Sequence, residues 1–147
     1  MNPLTRTTPT RTPTRISAVA GTWLACLTLL GAGPAAHAAA PAELLAGYTA
    51  QAGAPAQAAR GQQFFTTTHG REWSCASCHG ASPTQGGKHA STGKPIGAMA
   101  PAFNAERFTD PAKTEKWFRR NCNDVVGREC SSAEKADLLA WLMTLKP

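Results

Sequence analysis

The residues Cys75-Ala76-Ser77-Cys78-His79 form a Cys-x-x-Cys-His motif near the middle of this 147-residue chain. This spacing is the one through which c-type haem is attached to protein. The two thiols add to the two vinyl groups of the porphyrin, and the adjacent imidazole reaches the iron from one side. The motif therefore predicts one covalently bound haem c held by Cys75, Cys78 and His79.

Two other chemistries use a Cys-x-x-Cys pair, and the rest of the sequence favours neither. A thioredoxin-like redox pair is expected beside a βαβ pattern, whereas this chain shows no strand-like alternation. A structural zinc site needs a second pair of Cys or His ligands at close spacing, and the flanking residues do not provide one. Haem attachment is the interpretation that agrees with the remaining features of the chain.

Residues 1–38 have the three parts of a secretory signal. A Thr- and Pro-rich start carries three Arg residues and no acid, and an apolar run follows from residue 16 to about residue 33. Small residues then lead to an Ala-x-Ala cleavage pattern at Ala36-His37-Ala38. A membrane anchor is the alternative, but Gly and Pro residues interrupt a run that is already short for a membrane span. We therefore expect cleavage after residue 38, export to the periplasm, and a single cytochrome domain over residues 39–147 with no membrane anchor.

Removal of the signal changes the charge of the chain. The full sequence carries 15 Lys and Arg residues against 9 Asp and Glu residues, a net charge of +6. The signal contains three of the basic residues and no acid, so 12 basic residues remain against 9 acids, a net charge of +3. Two haem propionates would cancel most of this charge. Because no Lys/Arg run with interleaved aromatic residues is present, the sequence does not support binding to nucleic acid.

Cys122 and Cys130 are the two cysteines that belong neither to the signal nor to the haem motif. They lie eight positions apart in a chain predicted to enter an oxidising compartment, where disulfides form and persist. We therefore expect a disulfide that closes a small loop. The alternative, two free thiols or half of a metal site, lacks further Cys or His residues nearby.

Helical periodicity and capping patterns predict an all-α fold. The expected helices cover residues 41–48, about 56–67, 110 to about 121, and 131 onwards. Ser131 and Glu134 form a capping box at the start of the last helix. Gly61 lies inside the second helix, where it predicts close approach of another helix. Residues 70–108 are rich in Gly and Pro and are expected to be irregular, which suits wrapping around a prosthetic group.

The order of these elements resembles the class I cytochrome c fold, and the sixth iron ligand decides between functions. Met99 is one candidate, because a thioether raises the reduction potential and suits electron transfer. In the class I fold the Met loop usually follows the middle helix, whereas Met99 precedes it. The loop that does follow that helix, residues 121–130, contains no Met and offers Asn121, Asn123 and Asp124. His69 and His89 could coordinate in principle, so the residues alone leave the ligand open.

An ordered set of segments extends well beyond the haem motif. Its members are Ala46-Gly47-Tyr48, Gly53-Ala54-Pro55, Cys75 to Gly80, Arg107-Phe108-Thr109-Asp110, Glu115-Lys116-Trp117, Arg120-Asn121-Cys122-Asn123, Val126-Gly127-Arg128, Cys130, and Glu134 to Leu142. Together they resemble the sphaeroides haem protein family of oxygen-binding c-type cytochromes over nearly all of the mature chain. So long an ordered set is far more specific than the haem motif alone.

The resemblance implies a sixth ligand, a function and partners. In that family the ligand is an asparagine immediately before the first cysteine of a small disulfide loop, the position of Asn121 before the loop from Cys122 to Cys130. This weak ligand leaves the iron on reduction and opens a site for O2, NO or similar diatomic gases, with oxygen reduction or NO conversion as candidate activities. Electrons would come from a dihaem cytochrome c or a membrane cytochrome b. The alternative is a plain electron-transfer cytochrome in which His79 and Met99 ligate the iron.

The physical properties of Asn121 agree with this implication. A neutral amide oxygen is a hard, weak donor that suits ferric iron better than ferrous iron, so reduction should loosen it. We expect Asn121 near a helix end, where it can swing without unravelling the helix. Trp117 lies four residues earlier and hence on the same helical face. We expect its ring to form one side of the distal pocket, the space around the sixth ligand where a gas would bind. The alternative is that Trp117 only packs in the core.

Overall fold

Helices make up about half of the structure, a computed structural model that describes residues 40–147. The elements are α1 (Pro41–Ala52), α2 (Ala58–Thr66), α3 (Cys75–His79), β1 (Gly87–Lys88), β2 (Pro95–Ile96), α4 (Pro111–Val125) and α5 (Ser132–Thr144). The strands β1 and β2 pair antiparallel, with Gly87 opposite Ile96. The predicted signal lies outside the described residues. Within residues 40–147, no helix has the length and apolar character needed to cross a membrane.

The four predicted helices are present, and two of them begin at the predicted capping residues. The Asp110 carboxylate accepts a hydrogen bond from the Lys113 N–H at 2.9 Å, at the start of α4. The Ser131 hydroxyl accepts from the Glu134 N–H at 3.3 Å, and the Glu134 carboxylate accepts from the Ser131 N–H at 2.8 Å. Both sets of bonds satisfy N–H groups that a helix cannot satisfy internally.

The end of α4 differs from the prediction. The helix continues four residues beyond Asn121 and ends at Val125. It stops there because Gly127 takes a left-handed conformation with φ of 81°, and its N–H returns to the carbonyl of Cys122. The predicted end of this helix is therefore one turn too early, and Asn121 lies within the helix, one turn before its end.

The crossing of α2 and α5 forms the centre of the core. Gly61 is buried, and a Cβ at this position would overlap the backbone carbonyl of Asp137, so the predicted close approach is confirmed. The rings of Phe65 and Trp141 lie 4.9 Å apart across the same crossing. Phe64 is partly buried against the same core, and its ring lies 4.4 Å from that of His69.

A polar cluster joins α4 to the two helices behind it. The Tyr48 hydroxyl on α1 donates to Glu115 on α4 at 2.6 Å, and the Lys135 ammonium on α5 donates to the other oxygen of the same carboxylate at 2.7 Å. Lys135 also lies 5.6 Å above the ring of Tyr48. These contacts fix the first turns of α4, and with them the orientation of the helix that carries Asn121.

Candidate haem-binding site

The Cys-x-x-Cys-His motif forms a helix of its own, α3. Ser74 caps it: its N–H donates to the Ser77 hydroxyl at 3.0 Å, and its own side chain is buried. The five-residue helix then ends at Gly80, which has a φ of 77°. Residues at positions i, i+3 and i+4 share one helical face. Cys75, Cys78 and His79 are therefore adjacent, as attachment to one haem requires.

Burial shifts the pKa values of Cys75 and His79. Burial raises the pKa of the Cys75 thiol to about 11, and Cys75 and Cys78 are both free of disulfides. Reactive and metal-binding cysteines have lowered pKa values instead. Burial, followed by the positive charge of Arg107, lowers the pKa of His79 to about 4. The imidazole is therefore neutral, which is the form that coordinates iron.

A short hairpin, formed by β1, β2 and the turn between them, covers the second cysteine. A Cβ at Gly87 would overlap the carbonyl oxygen of Cys78, so only glycine permits this approach. Beyond β1, the Ala90 N–H points at the Cys78 sulfur at 3.2 Å. This hairpin is not among the predicted elements, although Gly86-Gly87 at its start and Gly93 in its turn are signals that could have indicated one.

The segment that contains Met99 is anchored to the residues that follow His79. The N–H groups of Met99 and Ala100 both donate to the carbonyl of Pro83, at 3.0 and 3.1 Å. The Arg107 guanidinium donates to the carbonyls of the two residues before Met99, at 2.8 and 2.9 Å. Arg107 also lies close enough to His79 to lower its pKa. Met99 and Arg107 thus belong to a segment that is bonded to the residues following His79.

The outer face of α4 carries the other predicted ligand. Asn121 is half-buried there, and Trp117 lies one turn earlier with 43 % of its surface exposed. The Arg120 guanidinium lies 5.7 Å from the centre of the Trp117 ring. Phe103, four residues after Met99, is 38 % exposed. Single exposed aromatic rings are common on protein surfaces. Trp117 is the ring that lies one helical turn from Asn121, so it is the one that could contact a ligand bound there.

Cys122 and Cys130 are joined by a disulfide, with their Cα atoms 5.6 Å apart. Both cysteines are buried, and Cys122 lies inside α4 directly after Asn121. The guanidinium of Arg71, four residues before Cys75, lies against Gly127 within the loop that the disulfide closes. This loop is therefore attached to the core at both ends and contacts the segment that leads into the haem motif.

The other histidines considered as ligands have local partners. The Nε2 atom of His69 lies 2.8 Å from the carbonyl oxygen of Phe64. The Nδ1 atom of His89 lies 3.2 Å from the Ser91 hydroxyl in the turn between β1 and β2. Within residues 40–147, no group of three or more His, Cys, Asp or Glu residues could hold a metal ion by itself. A zinc-type site is therefore not formed in the described part of the chain.

Comparison with known proteins identifies close relatives. Residues 51–142 match a family described as a domain of unknown function, DUF1924. Cytochrome c-type protein SHP of Cereibacter sphaeroides is 54% identical over 116 residues, which cover 76% of this chain and 89% of SHP. Cytochrome c'' of Methylophilus methylotrophus is 48% identical over 80 residues, which cover 54% of this chain and 56% of that protein.

Solved structures of the same two proteins share the fold. Oxidised SHP, described as an oxygen-binding cytochrome c, matches with a TM-score of 0.68 at 52% identity over 72% of this chain and 97% of SHP. Oxidised cytochrome c'' matches with a TM-score of 0.64 at 38% identity over 73% of this chain and 95% of the other. The predicted all-α cytochrome c fold and the predicted covalently bound haem c are thereby confirmed. The chain belongs to the DUF1924 family and to the sphaeroides haem protein family of c-type cytochromes.

Proposed function

We propose that this chain is a periplasmic monohaem cytochrome that accepts electrons and reversibly binds diatomic gases such as O2 and NO, with Asn121 as a displaceable sixth ligand. Cys75 and Cys78 would hold the haem, and His79 would ligate its iron. The bound haem supplies a redox-active iron with one exchangeable coordination position. The relatives support this function, because SHP is an oxygen-binding cytochrome c and the solution structure of cytochrome c'' bears on haem-ligand detachment.

The anchoring of Met99 is the observation that carries the choice of Asn121. A sixth ligand must reach the iron from the face opposite His79. The Met99 N–H bonds to Pro83, four residues after His79, and Arg107 bonds to the carbonyl just before Met99 while it also acts on His79. These contacts hold the Met99 backbone to the segment that follows His79. Asn121 comes from α4, a separate element, and is free of this restriction.

The structure of α4 suggests how Asn121 would leave the iron. Its backbone lies within the helix, one residue before the disulfide-bonded Cys122, and Glu115 fixes the earlier turns of the same helix. Rotation of the side chain about χ1 and χ2 is therefore the motion available, and the helix does not need to unwind. Because the amide oxygen is a weak, hard donor, little binding energy opposes this rotation once the iron is ferrous.

The family resemblance supplies the proposed electron donor, a dihaem cytochrome c or a membrane cytochrome b. Residues 1–38 supply the case for the periplasm, since they carry the pattern of a cleaved signal. Reaction with the bound gas, as oxygen reduction or NO conversion, would follow from an exchangeable site supplied with electrons. A plain electron carrier ligated by Met99 is the second candidate, because Met99 is partly buried against the core.

Absorption spectra of the holoprotein test the proposal, recorded oxidised, reduced, and reduced with CO. We expect a high-spin reduced form that binds CO at once, and the same behaviour in Met99→Leu. Asn121→Ala should make the oxidised form high-spin as well. A form that is low-spin in both states, ignores CO, and loses a sulfur-to-iron charge-transfer band in Met99→Leu would establish the His/Met carrier instead.

A further inference from the structure

Arg107 holds a half-buried positive charge that no acid neutralises among residues 40–147. Its Nε–H donates to the Ala98 carbonyl at 2.8 Å, and one Nη2–H donates to the Gly97 carbonyl at 2.9 Å. In the described part of the chain, no carboxylate oxygen lies within 4.0 Å of the guanidinium nitrogens. Three of its five N–H groups thus have no partner among these residues.

Two more-exposed arginines, Arg60 and Arg128, do have carboxylate partners. Arg60 and Arg128 are 48% and 56% exposed, and each donates to a carboxylate, those of Asp137 and Glu134 respectively. Water could solvate either of these cations. Arg107 is less exposed and has only neutral carbonyl partners, so burial lowers its pKa. A buried cation is costly unless an anion accompanies it, which indicates that a counter-ion is missing from the protein side chains.

The position of Arg107 indicates where that counter-ion lies. Its two carbonyl bonds hold it to Gly97 and Ala98, directly after β2, and β2 pairs with β1, whose Gly87 lies against the Cys78 carbonyl and the Cα of His79. The segment that contains Met99 is in turn bonded to the carbonyl of Pro83. The guanidinium is therefore held to the segment that packs on the haem motif, and the propionates of a haem attached there are the carboxylates that could reach it.

We propose that Arg107 binds a propionate carboxylate of haem c through its remaining N–H groups, and so positions the haem relative to His79. The planar guanidinium fork matches a carboxylate with two parallel hydrogen bonds. The pair would be shielded from solvent and hence screened less than a surface ion pair. The proposal rests on haem attachment at Cys75, Cys78 and His79, and it holds whichever residue is the sixth ligand.

Resonance Raman spectroscopy of the holoprotein tests the contact, because the propionate bending band responds to hydrogen bonding. We compare the wild type with Arg107→Met, Arg107→Lys and Lys94→Met, and measure the reduction potential of each. Lys94 is exposed between the strands of the hairpin, so its replacement removes one positive charge without touching the proposed pair. Arg107→Met should shift the band and lower the potential more than Lys94→Met does, because an unpaired propionate favours ferric iron.

Arg107→Lys should have a reduction potential between those of Arg107→Met and the wild type. Lysine keeps the positive charge but cannot form the two parallel hydrogen bonds of a guanidinium. Arg107→Lys also serves as the second variant if Arg107→Met does not retain haem, because its band should still lie away from the wild-type frequency. An unmoved band in every Arg107 variant, with a potential change no larger than that of Lys94→Met, would overturn the proposal. CO binding to the reduced form is recorded separately, so a wrong sixth ligand and a wrong propionate contact give different results.

Discussion

Replacement of Asp137 by Asn tests how the α2–α5 crossing is held. The Asp137 side chain is 6% exposed, accepts the Gln57 N–H at 2.6 Å, and accepts two bonds from Arg60 at 2.7 and 2.9 Å. A hydrogen bond to a charged group contributes about 1.5–3 kcal/mol. Arg60 adds little, because its guanidinium is half-exposed and screened by solvent. We expect a loss of about 2 kcal/mol.

The expected loss corresponds to a lower melting temperature by about 10 °C, at roughly 4–8 °C per kcal/mol for a domain of this size. Thermal and urea unfolding of the holoprotein, followed by circular dichroism, would measure it. Glu129→Gln is the matched control, since Glu129 pairs with Arg119 at 3.4 Å and both side chains are two-thirds exposed. If Asp137→Asn costs no more than this control, the buried carboxylate does not hold the crossing.

The stability lost in Asp137→Asn should also depend on pH. Burial alone would raise the pKa of Asp137, but Arg60 and the Gln57 N–H bind the charged form and bring the pKa below its ordinary value. A lowered folded-state pKa means that this stabilisation is present above the unfolded-state pKa and is lost as the pH falls through the folded-state pKa. The stability difference between wild type and Asp137→Asn should therefore be constant near neutral pH and shrink only in strong acid. A difference that is already absent at pH 6 would contradict this assignment.

Three further changes test the other contacts. Trp117→Leu should alter the rates of CO or NO binding measured by stopped-flow, because it removes a ring one turn from Asn121, and unchanged rates would exclude a pocket role. Gly87→Ala should lower the haem content per protein, measured by absorbance, because its Cβ would overlap the Cys78 carbonyl, while Gly93→Asn in the exposed turn should not. Tyr48→Phe should lower the free energy of unfolding by about 1 kcal/mol in urea titrations, since it removes the bond to Glu115, and an unchanged midpoint would show that this bond does not stabilise the fold.

Local chemistry explains which elements the sequence predicts. Asp110 and Ser131 start their helices as expected, because a capping side chain bonds to N–H groups three residues away. The hairpin escapes prediction because its strands have two residues each, too few for an alternation pattern, and because its position depends on contact with Cys78. The predicted end of α4, at about Asn121, is too early. No helix-breaking residue occurs between Asn121 and Gly127, so the helix continues to Val125.

Some residues of the candidate site can be predicted from a local sequence motif, and others cannot. Cys75, Cys78 and His79 are adjacent in sequence, so a motif suffices to predict them. Asn121 came from the family resemblance, since an asparagine before a cysteine has no physical signature of its own. Arg107 was visible only as part of a matching segment, because its burial and its lack of an acidic partner depend on contacts that the fold creates.

The two residues proposed to hold the iron, His79 and Asn121, lie on elements that are held by separate sets of contacts. The segment from His79 to Arg107 is bonded to itself through Pro83 and the carbonyls before Met99. Helix α4 is held instead by Glu115 at its start and by the disulfide near its end. Replacement of Asn121 should therefore change the coordination of the iron and leave the His79 side intact. Exchange of the proposed Asn121 ligand would then leave the attachment at Cys75, Cys78 and His79 in place, as the proposed reversible gas binding requires.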